Sequence, residues 1–157
     1  MDPYDKEKTR EIWKRVLGEE ESCDCRAFDS ELLREMIAEE KTSACAYRAL
    51  ARCAGGQSRE QLCRFAEQAL CHARKLDAIY YLWTGERACV TSGEVPRFRC
   101  LPEGLREMHG RETVSAARCH RTAEELPDHA EVFHAAAREK TCRAEALLRL
   151  LQCCLAM

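Results

Sequence analysis

The sequence predicts an all-α domain: four long helices forming a four-helix bundle, with a short N-terminal helix before it. Three observations carry that prediction. The chain of 157 residues holds 22 Ala against 5 Val and 3 Ile, with only 4 Pro and 7 Gly, a composition that excludes an all-β domain. Apolar residues recur at spacings of three and four in four long segments. The segments join in pairs through a few residues each, while about 17 residues separate the second from the third. Short joints make two antiparallel hairpins, and the long one can travel the length of a helix and cross the bundle.

Each element has its own start and stop signals. Residues 4–17 are amphipathic, with Ile12, Trp13 and Val16 on one side, and end at Gly18 and an acidic run. This gives an N-terminal segment at 1–28 and a bundle at 29–157. Asp29-Ser30 can cap the first long helix, expected near 30–54 and stopped by Gly55-Gly56. Ser58 with Gln61 fits a capping box for the second, near 57–84, ending at Gly85. Residues 85–101, with Gly85, Gly93 and Pro96, lack periodicity and read as the crossover. Pro102 suits the first turn of a third helix near 102–126, which ends before Pro127. Asp128 with Glu131 is a second capping-box match, opening a fourth helix near 128–153.

Charge and cysteine usage narrow the classes. With 25 basic and 27 acidic residues the net charge is −2, so no polyanion-binding face is forced and nucleic acid is not an expected partner. The charged N-terminus has no apolar stretch behind it, and the apolar run at 147–155 is far short of the roughly 20 residues of a membrane span. A cytoplasmic protein with no membrane contact is expected. Twelve cysteines without any CxxC pair suggest a reducing compartment, and exclude a rubredoxin, zinc-ribbon or thioredoxin-type motif.

The chemistry lies on the stripes meant for burial. Helix one gives Leu33, Ile37, Glu40, Ala44, Tyr47 and Ala51; helix two gives Leu62, Ala66, Ala69, His72 or Ala73, Leu76, Ile79 and Trp83. Helix three gives Leu105, Met108, Glu112, Ala116, Cys119 and Ala123; helix four gives Val132, Ala136, Glu139, Cys142 or Arg143, and Ala146. Three stripes are interrupted near the middle by a glutamate and the fourth by His72. Mid-helix positions of an antiparallel bundle share one layer, so Glu40, His72, Glu112 and Glu139 are expected to converge. A buried carboxylate costs several kcal/mol unless it is paired or binds a cation. A set of oxygen and nitrogen donors suits Fe, Mn or Zn. The other histidines (109, 120, 129 and 134) have no partner at i+3 or i+4 that makes a convincing ligand pair, and read as surface residues.

Over residues 30–152 this pattern resembles the rubrerythrin-like branch of the ferritin-like superfamily. That resemblance implies a ferritin-like four-helix bundle and a di-iron site built from a Glu on helix one, Glu-x-x-His on helix two, a Glu on helix three and Glu-x-x-His on helix four. Glu40, with Tyr47 seven residues later, resembles the first element; Cys71-His72 the second; Glu112 the third; Glu139-Lys140-Thr141-Cys142 the fourth. Two positions depart from the family. Ala69 stands where the bridging Glu of helix two belongs, and Glu67 lies about 200° away around the helix. Cys142 stands where the last His belongs, and a thiolate can still ligate iron or zinc.

The implied metal ligands are therefore Glu40, His72, Glu112, Glu139 and Cys142, holding one or two iron ions, with Mn or Zn as alternatives. As an oxidoreductase the protein would consume peroxide or oxygen and need a separate electron-donor protein. A second reading is a ferritin-like bundle without redox activity, serving as a binding or oligomerisation module, for instance as a homodimer. A third is a cysteine-based metal buffer or redox sensor.

Overall fold

The computed structural model describes residues 29–156, and the N-terminal segment with its expected short helix lies outside them. Among the described residues the chain forms α1 (Ser30–Cys53), α2 (Gly56–Thr84), α3 (Leu101–Glu125) and α4 (Ala130–Leu155), with a 3-10 turn at Pro127–His129 before α4. No described residue lies in a strand, so the all-α class and the four-helix bundle are both observed. No described helix is long and apolar enough to cross a membrane.

The caps are partly as expected. Asp29 Oδ1 accepts from the backbone amides of Glu31 and Leu32, each at 3.1 Å, satisfying two of the orphan donors that open α1. Pro102 sits in the first turn of α3, and Gly85 ends α2 in the left-handed region at φ +75°, its amide donating to Tyr81 O at 2.8 Å. Two expected capping boxes do not form. Gly56 takes φ +48°, which turns the chain so sharply that α2 is already running before Ser58, and no side chain caps it. Arg59 there serves the preceding helix instead, its Nε donating to the carbonyls of Ala51 and Ala54. At α4 the 3-10 turn through Asp128 replaces the Asp128–Glu131 box.

The crossover runs the length of α1, held by side chains of α1 and α2 that bond its main chain. Arg34 donates to Ala88 O at 2.8 Å while Asp77 accepts from Ala88 N at 2.9 Å. Further along, Lys41 donates to Val90 O at 2.5 Å and Thr42 Oγ1 accepts from Gly93 N at 2.7 Å. The chain then enters α3 beside Leu50, at the far end of α1. α3 is thus antiparallel to α1: Gly104 meets Leu50 at one end, and Thr122 meets Met36 at the other. α2 and α4 are antiparallel as well, with Trp83 near His129 and His72 near Glu139.

Gly104 packs tightly against side chains of α1 and the crossover. A Cβ there would stand 2.2 Å from Leu50 Cδ2 and 2.9 Å from Phe98 Cγ, and Leu50 is only 1% exposed. Overpacking of this kind costs about 1–3 kcal/mol, so G104A is expected to lower the urea-unfolding free energy by that amount. A variant as stable as the parent would mean that Leu50 has room to move.

The apolar core has two halves. Leu33, Met36, Ile37, Leu76, Ile79, Cys119 and Phe133 fill one, while Tyr47, Leu50, Leu62, Phe65, Leu105, Met108 and Leu147 fill the other. In each helix the residue between the halves is polar and buried: Glu40, His72, Glu112 and Lys140.

Candidate functional site

This polar layer is the one the stripes on α1 to α3 predict, with a different contribution from α4. Glu40, His72 and Glu112 are 3%, 3% and 2% exposed. His72 Nε2 is 2.8 Å from Glu139 Oε2, and His72 Nδ1 is 3.7 Å from Glu40 Oε1. Glu139 therefore reaches the layer, but from its edge, with a side chain 43% exposed. Cys142 is exposed and takes no part.

α4 is rotated by about one residue from the expected stripe. Its buried face runs Phe133, Ala136, Ala137, Lys140, Arg143, Ala144, Ala146 and Leu147, with the fully buried Phe133 and Leu147 setting the phase. That rotation brings Lys140, 2% exposed, into the layer in place of Glu139, and of the two alternatives Cys142 and Arg143 it is Arg143, also 2% exposed, that is buried. Lys140 Nζ pairs with Glu40 Oε1 and stands 4.0 Å from Glu112 Oε2. Arg143 Nη2 donates to Glu112 Oε2 at 3.1 Å. The phenol of Tyr47, fully buried and packed edge-on against Phe65, donates to Glu112 Oε1 at 2.5 Å.

The electrostatics follow from burial and pairing. Burial alone would raise the Glu40 pKa, but the Lys140 ammonium and His72 outweigh it and hold the carboxyl down to about 2. Burial would lower the Lys140 pKa, yet Glu40 and Glu112 win and it is raised. Arg143 is raised by Glu112 against the same penalty. Burial and the neighbouring Glu112 carboxylate raise the Tyr47 phenol, which stays protonated and can only donate. Burial likewise pushes the Cys119 thiol up to about 11, so it is no nucleophile.

The donor set does not fit a two-metal centre. Leaving the imidazole aside, three carboxylates against two fixed cations carry one net negative charge, whereas two divalent ions bring four positive ones. Ala69 is fully buried within the apolar core, and Glu67 is on the surface, paired with Arg48 at 3.3 Å. Among the described residues no three His, Cys, Asp or Glu side chains are grouped to hold a metal ion. Among the described residues four buried side-chain atoms have no hydrogen-bond partner: Glu40 Oε2, His72 Nδ1, and Arg143 Nε and Nη1.

The remaining histidines are less isolated than helix-local spacing suggests. His129 accepts from Trp83 Nε1 at 3.1 Å, and His120 and His134 face one another across α3 and α4. No family model, curated protein or solved structure matches this chain.

Proposed function

We propose that this chain is a ferritin-like bundle that works as a binding or oligomerisation module, its central layer closed by side-chain cations. The observation that supports this reading is the placement of Lys140 on Glu40 and Arg143 on Glu112, where two fixed positive charges do the neutralising that a metal would otherwise do. A surface suited to a protein partner lies at the far end of α2. A cleft of about 530 Å³ is lined there by Arg74, Asp77, Tyr81, Leu82 and Arg87, with Tyr81 51% and Leu82 73% exposed. Aromatic and arginine side chains around an apolar patch are the composition of protein contacts.

A rubrerythrin-type iron protein drawing electrons from a separate donor is the second reading. The unpartnered Glu40 Oε2 and His72 Nδ1 favour it, being a carboxylate and an imidazole that still have capacity to bind. Elemental analysis of the full chain after anaerobic purification separates the two. The module reading expects less than about 0.1 iron or manganese per chain and no peroxide consumption. One or more irons per chain, lost in E40Q and H72N, would instead establish the iron protein.

A further inference from the structure

His120 on α3 and His134 on α4 flank the short turn that joins these helices, and their Nδ1 atoms are 3.4 Å apart. This is a long hydrogen bond, one ring donating and the other accepting, beyond the roughly 2.7–3.2 Å usual for an N–H donor on oxygen. The spacing matches the bite of a tetrahedral cation: two nitrogens on one zinc, each at ~2.05 Å, lie about 3.3–3.4 Å from one another. The rings are tilted by 48° with centroids 5.6 Å apart, so they are not stacked face to face.

The core fixes the backbone beneath the pair. Cys119, next to His120, is 1% exposed, and Phe133, next to His134, is fully buried, so both backbones are anchored beside the pair. The side chains themselves reach solvent, His120 being exposed and His134 half-buried. Glu124 follows His120 by four residues and Glu131 precedes His134 by three, which puts one carboxylate on the same face of each helix, one turn nearer the joint. Both are exposed, and their negative charge favours a cation at this end of the hairpin.

We propose that His120 and His134 form a two-histidine site for a divalent transition cation, of which zinc is the best match, with water completing the coordination. Imidazole nitrogen selects Zn, Cu or Ni over Mg or Ca, which take oxygen ligands. No third protein ligand stands with the pair among the described residues, so the site is open and exchangeable. Its effect is to staple α3 to α4. It is separate from the buried layer and does not depend on what that layer binds.

Thermal unfolding of the full chain tests this, with cysteines kept reduced by a phosphine that does not chelate. Zinc at ten times its dissociation constant should raise the Tm of the unmodified protein by about 3 °C or more, and magnesium should not. H120N and H134N, at solvent-accessible positions, should keep the metal-free Tm within about 1 °C and lose the rise. No rise in the unmodified protein would overturn the proposal. So would an undiminished rise in both variants, which would assign the zinc to the cysteines.

Discussion

Replacing Lys140 by Met is expected to destabilise the fold by about 3–5 kcal/mol. Methionine fills the lysine's volume, so packing is largely kept, but the substitution leaves Glu40 buried beside no cation, and removing one partner of a buried pair has that cost. The Glu40 carboxyl is 3% exposed with one oxygen already unpartnered, so solvent cannot take over from the lysine. The double variant E40L/K140M removes both charges and should recover most of the loss, because an apolar pair of similar volume carries no desolvation penalty. Urea unfolding of the two single variants and the double gives the coupling energy directly. A K140M protein within 1 kcal/mol of the parent would show that the Lys140–Glu40 pair contributes little.

The parent protein should lose roughly 3 kcal/mol of stability on acidification through the protonation of Glu40 alone. Its folded pKa of about 2 lies below the unfolded value of 4.5. A depressed carboxyl pKa stabilises fully above the unfolded value, and this contribution fades as pH falls from about 4.5 towards 2. Lys140 adds nothing in this window: its raised pKa gives stability that is complete below about 10.5 and fades only as pH rises through the folded value. Unfolding free energies at pH 6, 4 and 3 should therefore converge for the parent and E40Q as pH falls. Parallel curves would mean that Glu40 titrates alike in both states. K140M should show the reverse slope above pH 4.5, since burial without a cation raises the carboxyl pKa.

Most of the helix boundaries were legible because their signals are local. Asp29, Gly85, Pro102 and Pro127 act within one turn, and the structure has all four at element ends. The two capping boxes failed because a stronger neighbour acted first: a glycine at positive φ before Ser58, and a 3-10 turn over Asp128. On α1, α2 and α3 the buried polar residue stood out against a continuous apolar stripe. On α4 two stripes one residue apart compete, one led by Val132 and one by Phe133 and Leu147. The second carries far more apolar volume and places Lys140 inward. A preference for keeping lysine outside hides it, although large side chains decide which face packs. The His120–His134 contact was beyond helix-local spacing because its partners belong to different helices.

The crossover is gripped by its peptide groups. Arg34, Lys41, Thr42 and Asp77 bond carbonyls and amides at Ala88, Val90 and Gly93, while most side chains between 89 and 97 point to solvent. Val90 and Val95 instead pack partly against the core, and Ala88 just before them is buried. What those anchors specify is a path through space, and almost any residue with a free amide and carbonyl can follow it. The stretch is accordingly where the sequence is freest to diverge without changing how the two hairpins are joined, and its four anchoring side chains, far away in the chain, are where it is least free.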